Sequence, residues 1–134
     1  MSALEHVAAS ADPATMVAAL ERDGAVVVED LLPAEVVARV NEEVEEAVAA
    51  DDPSSPMFNP IMRAFHGAHT RQVSGLARVS RTFATEVLCH PVLLTLADAV
   101  LLPACARYQM NIGHLLERGP GAEAQMLHRD EAVW

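Results

Sequence analysis

Gln125-Met126-Leu127-His128-Arg129-Asp130-Glu131-Ala132-Val133-Trp134 closes the 134-residue sequence and decides how the rest of it is read. In an extended chain successive side chains alternate between faces, so His128 and Asp130 share one side while Arg129 takes the other. An imidazole and a carboxylate two residues apart on one strand face can clasp a single metal ion. They supply two thirds of the 2-His-1-carboxylate facial triad that suits non-haem Fe(II). The pair alone is a weak signal, since this His and Asp content yields one such spacing by chance in roughly a third of shuffled chains. Its setting has to carry the reading.

Working back from that stretch, Gly119-Pro120-Gly121 predicts a turn, with Ala124 to Asp130 as the strand returning from it. Before the turn, Ala104 to Leu116 reads as extended. Cys105, Arg107, Gln109 and Asn111 alternate there with Ala106, Tyr108, Met110 and Ile112, so one parity faces a site or solvent and the other a core. Pro91 opens a helix from Val92 to about Leu102 that is apolar on nearly all sides, which predicts burial. Ser80 to Leu88 is a further helix capped by Ser80 or Thr82. Residues 53–75, rich in Pro and Gly, form a long irregular stretch of the kind that often serves as a lid or binding loop. His66 and His69 are read as loop residues within it, and His114 as an exposed strand residue.

Nearer the N-terminus, Leu32-Pro33 starts a helix whose Val36, Val37, Val40, Val44 and Val48 form one apolar stripe. It ends near Asp51-Asp52-Pro53. Ala25 to Val28 is a short buried strand. Asp12 as N-cap and Pro13 at the first helical position open a helix to about Arg22, stopped by Asp23-Gly24. Residues 1–11 show no period and are expected to be a flexible end. Residues 1–134 are expected to form a single domain.

Composition removes several function classes. The formal charge of −10 argues against a nucleic-acid partner. All nine basic residues are Arg, which excludes a Schiff-base lysine and a phosphate-loop lysine. No run is long and apolar enough for a membrane span, and no signal peptide pattern opens the sequence, so a cytoplasmic protein without a membrane partner is expected. Cys89 and Cys105 are read as buried free thiols. Nine acids lie between Glu29 and Asp52 beside Arg39 alone, which a solvated helix face explains.

The order of "DGAVVVEDLLPAEVVARVNEEVEEAV", "HPVLLTLADAVLLP" and "YQMNIGHLLERGPGAEAQMLHRDEAVW" resembles the N-terminal half of the phytanoyl-CoA dioxygenase family, from about Met16 to Trp134. The resemblance implies an α+β fold, with N-terminal helices packed on the first strands of an incomplete double-stranded β-helix, the cupin-like jelly roll of about eight strands. It implies Fe(II) as metal and 2-oxoglutarate as co-substrate, with His128 and Asp130 as metal ligands. Gln109 and Asn111 fall on the strand that lines the family's co-substrate pocket. The implied reaction is hydroxylation of a small-molecule or acyl-type substrate, and Asp130 matches hydroxylases better than the related halogenases. The family's third ligand is a distal histidine, followed by an arginine that binds 2-oxoglutarate. No histidine follows His128 here, and Arg129 is the one arginine beyond it. A chain inactive alone is therefore expected, completed by a missing C-terminal half or by a homo-oligomer. The competing reading is a non-catalytic α-rich interaction module or oligomerising fragment, in which His128 and Asp130 are incidental and an open sheet edge is the pairing surface.

Overall fold

A computed structural model describes residues 4–51, 65, 67 and 69–129. The first unit is β–α–β. Strand β1 (His6–Ala8) pairs in parallel with β2 (Val27–Glu29), in the register His6 to Val27 and Ala8 to Glu29. Helix α1 (Pro13–Asp23) makes the crossover. Its ends follow the local signals: Asp12 accepts a hydrogen bond from the Ala14 N–H, and Gly24 takes a left-handed φ of 75° while its N–H reaches the Leu20 carbonyl. Met16 and Ala19 are completely buried on its inner face, and burying a methionine is worth about 1.5–3 kcal/mol. β1 lies within the stretch that sequence left without structure. Three residues are too few to show a period, and pairing with β2 is what makes them a strand.

Helix α2 (Ala34–Ala50) follows, with Pro33 as its N-cap rather than its first helical residue. The valine stripe is graded: Val36 and Val44 are buried, Val40 and Val48 half-buried, and Val37 exposed. α2 packs on β3 (Thr70–Ser74) and on the short α3 (Leu76–Val79). β3 corrects the irregular reading of residues 53–75, whose members 53–64, 66 and 68 lie outside the described residues. Thr-Arg-Gln-Val-Ser carries one apolar residue, so alternation could not reveal it. The strand is made by its partner, β4 (His114–Arg118), antiparallel in the register Thr70 to Arg118 and Ser74 to His114. Asp51 also accepts the Gln72 N–H at 2.8 Å, and Arg71 faces Glu117 across the ladder at 3.3 Å.

Between the strands run a π-helical turn (Phe83–Val87) and α4 (Pro91–Leu101). The turn closes with the Leu88 N–H on the Phe83 carbonyl at 2.8 Å. Ser80, completely buried, accepts the Phe83 N–H at 2.9 Å, so of the two proposed caps Ser80 is the one used. Glu43 of α2 ties this segment down. It accepts the Ser80 hydroxyl at 2.5 Å, the Thr82 N–H at 2.9 Å and the Thr82 hydroxyl at 2.8 Å. These bonds, that from Ser80 first, hold the Glu43 carboxyl below its ordinary pKa.

α4 begins where His90-Pro91 predicts, with the His90 ring accepting the Val92 N–H at 3.3 Å. The expected burial of this helix does not occur. No residue of α4 is buried, although the helix packs against α1, and Leu93, Leu94, Val100 and Leu101 are all exposed. The extended reading of Ala104 to Leu116 is also corrected: only its last residues enter β4, while 107–113 have no regular structure. Met110 and Ile112 are exposed, so the apolar parity faces no core. Gly119-Pro120-Gly121 does turn, with the Ala122 N–H on the Gly119 carbonyl at 3.2 Å. A Cβ at Gly119 would sit 3.3 Å from the His69 carbonyl oxygen, so glycine suits the close approach there. Residues 122–129 then run on without forming the returning strand.

The described architecture is thus mixed α and β, with one parallel and one antiparallel two-stranded sheet. Among the described residues no helix is long and apolar enough to cross a membrane.

Candidate functional site

The turn at Gly119 delivers the segment that carries His128. Arg118 at the end of β4 anchors it by donating to the Glu123 carbonyl. Beyond the turn lies an open groove of about 590 Å³, lined by Arg118, Ala122, Ala124, Gln125, Met126, Leu127 and His128. The His128 side chain is exposed at this groove, and its ring meets Met126 and Phe65. Nδ1 lies 2.7 Å from the Met126 carbonyl oxygen. A carbonyl only accepts, so Nδ1 carries the proton and the neutral ring keeps its lone pair on Nε2. The Phe65 ring meets the imidazole edge to face, with centroids 4.7 Å apart and planes inclined at 72°.

The other sequence-nominated residues are distributed differently. Asp130 lies outside the described residues, as do Glu131, Trp134 and His66. Gln109 and Asn111 are exposed on the irregular segment before β4, and neither lines the His128 groove. They were nominated as strand residues, and that local premise fails. Tyr108 beside them is half-buried and donates its hydroxyl to Asp98 of α4 at 2.6 Å. That bond, made by the neutral phenol to a carboxylate, raises the Tyr108 pKa. His69 is an exposed turn residue. His114 is half-buried, and its Nε2 lies 3.1 Å from the Ser74 hydroxyl directly across the ladder. Cys89 is exposed and Cys105 half-buried, so the expectation of two buried thiols is corrected. Among the described residues no group of three or more His, Cys, Asp or Glu is placed to hold a metal.

Phe65 and Gln125 were not nominated from sequence. No sequence signal marks Phe65, which is helical where an irregular loop was expected; for Gln125 the available signal was proximity to the motif, which is no signal by itself. A second and larger groove, about 780 Å³, lies between α2 and the β3–β4 sheet, with Val44, Val48, Leu115 and Leu116 on its walls and Glu42, Glu45 and Arg71 at its edges.

The phytanoyl-CoA dioxygenase (PhyH) family model matches residues 20–134, a span that contains α2, both strands of the antiparallel sheet and the His128-Arg129-Asp130 motif. Curated relatives agree. The chain is 31% identical over 134 residues to the dioxygenase cdmA of Talaromyces verruculosus, covering 99% of this chain and 45% of that protein. It is 30% identical over 115 residues to the dioxygenase olcK of Penicillium canescens, covering 86% and 38%. The dioxygenase aneA of Aspergillus aculeatus is 29% identical over 133 residues, covering 99% and 45%. The chain thus spans less than half the length of these relatives. It belongs to the phytanoyl-CoA dioxygenase family.

Proposed function

We propose that this chain contributes the N-terminal part of an Fe(II)- and 2-oxoglutarate-dependent hydroxylase, with His128 and Asp130 as two of the three metal ligands. The observation that carries the proposal is the His128-Arg129-Asp130 motif lying inside the matched span, with a His128 ring already fixed in the ligating tautomer. The donor chemistry fits. A ligating imidazole characteristically donates its other ring N–H to a carbonyl or carboxylate, and here that acceptor is the Met126 carbonyl. His128 nitrogen and Asp130 oxygen suit a divalent first-row ion with open positions. Bound there with 2-oxoglutarate, Fe(II) would supply O₂-dependent hydroxylation of a substrate C–H bond. The chain's own work is to hold Nε2 basic and oriented and to place Asp130 beside it. The substrate is a small molecule of aliphatic or acyl type. A role for Gln109 and Asn111 toward 2-oxoglutarate rests on the family resemblance alone.

The same reading assigns the fold to the first part of a cupin-like jelly roll, in which β3 and β4 belong to the barrel. The third ligand and the 2-oxoglutarate-binding arginine then come from further sequence. Two protein ligands bind iron more weakly than three, so this chain alone is expected to bind Fe(II) through His128 and Asp130 without turnover. Anaerobic equilibrium dialysis of Fe(II) against the chain, His128→Ala and Asp130→Ala is the test. Loss of binding in both variants supports the reading; binding unchanged by both overturns it. Succinate formed by the purified chain in the presence of an organic substrate would overturn the expected inactivity.

A further inference from the structure

The antiparallel sheet is covered unevenly. Helix α2 packs on β3, and Val73 of that strand is buried. Leu115, the partner of Val73 across the ladder on β4, is only half-buried. Residues paired in this way share one face of the sheet. Over β4, that face opens into the groove of about 780 Å³ beside α2, a size that suits a small molecule. Val44 and Val48 of α2 and Leu115 of β4 make its walls apolar.

The rim carries one sign of charge in excess. Arg71 and Glu117 face each other across the ladder at 3.3 Å and offset one another. Glu42 and Glu45 are exposed on α2 at the same rim, and among the described residues neither has a hydrogen-bond or ion-pair partner. Three residues apart on a helix, they stand side by side with Cβ atoms about 5–6 Å apart, where like charges repel and one cation can serve both. An anion would meet repulsion at this rim. The groove shares no lining residue with the one at His128, and Glu117 and Arg118, successive on β4, project to opposite faces of the sheet.

We propose that this groove binds an organic cation with an aliphatic body, its ammonium at Glu42 and Glu45 and its hydrocarbon against Val48 and Leu115. The site is separate from the metal site proposed above and does not depend on it.

The probe is n-octylammonium, with octanoate as the counterpart of equal chain length and opposite charge. The methyl resonances of Val44, Val48 and Leu115 are followed by NMR during each titration. Those of Leu94 and Leu101, exposed on α4, report unspecific apolar binding. The expected result is a saturable shift of the groove methyls with octylammonium, weakened by added salt, while octanoate and the α4 methyls show none. Glu42→Gln combined with Glu45→Gln should raise the half-saturation concentration about 3–10-fold, the scale of two exposed ion pairs. Arg71→Gln leaves Glu117 unpaired beside the groove and should lower it, an effect that a damaged fold would not produce. Octanoate binding equal to that of octylammonium overturns the proposal, as do equal shifts at the α4 methyls or an unchanged half-saturation in the double variant. Groove methyls that shift with chain concentration in the absence of either probe would assign the groove to a second copy, and that too overturns it.

Discussion

The chain up to Thr82 and the chain beyond it treat their apolar residues in opposite ways. Among the described residues the buried hydrophobic ones, Val7, Met16, Ala19, Val36, Val44, Val73 and Leu76, all lie in the first part, together with buried Thr70, Ser80 and Thr82. Among the described residues beyond Thr82 none is buried. Most of the large exposed apolar side chains lie there, from Leu93 and Leu94 through Leu116 to Met126 and Leu127. Composition does not explain the contrast, because α4 is more apolar than α1 or α2. A hydrophobic pattern records which faces can be buried; whether they are depends on what is packed against them. In the first part, β3 and α3 pack on α2, and β1 pairs with β2. In the second, α4 meets α1 on one side and solvent on the others.

Mutations can break that comparison. The largest effect is expected at Met16. Met16→Ala removes a fully buried side chain and should cost about 2–5 kcal/mol in denaturant unfolding. A cost below 1 kcal/mol would mean that the α1 core is not the stable part of the molecule. Next comes the cap joining α2 to the π-helical turn, where Ser80→Ala should cost about 0.5–2 kcal/mol.

Glu43 sharpens the same point through pH. Its folded pKa is depressed by the Ser80 and Thr82 bonds. Its contribution is therefore fully present above the ordinary glutamate value and lost as pH falls through the folded value. Glu43→Gln should flatten the acid limb of the stability–pH curve; an unchanged limb would mean that the three bonds to Glu43 do not form in solution.

Tyr108 gives the opposite sign. It is the sole tyrosine, and its folded pKa is raised by Asp98. The stabilisation is complete below the ordinary phenol value and disappears as pH rises through the folded one. An ultraviolet phenolate titration should read a midpoint above 10, the ordinary value, falling toward it in Asp98→Asn. The smallest effect is expected at Leu101→Ala. Its side chain is 42% exposed, and surface changes usually stay within about 0.5 kcal/mol. A cost matching that of Met16→Ala would show the α4 face to be covered in solution.

What was legible in the sequence follows the range of the interactions involved. Asp12-Pro13, Asp23-Gly24, His90-Pro91 and Gly119-Pro120-Gly121 act within a few residues, and each appears where its chemistry puts it. β1 and β3 were not legible because each exists through a partner far along the chain. The burial assigned to α4 failed for the same reason in reverse, since the helix is apolar but the partner for its outer faces is not among the described residues. At the site, His128 was read from its neighbour Asp130. Phe65, which touches the His128 ring, could not be, because the contact spans 63 residues of sequence.

The most direct test of the central claim is an anaerobic titration of the purified chain with Fe(II) and 2-oxoglutarate, beside His128→Ala. It is followed by the visible charge-transfer absorption of 2-oxoglutarate chelated to iron. If the chain holds two ligands of an unfinished site, iron binds weakly through His128 and no chelate band develops. A saturable band that is lost in His128→Ala would contradict this, because a complete co-substrate site would then assemble from these 134 residues.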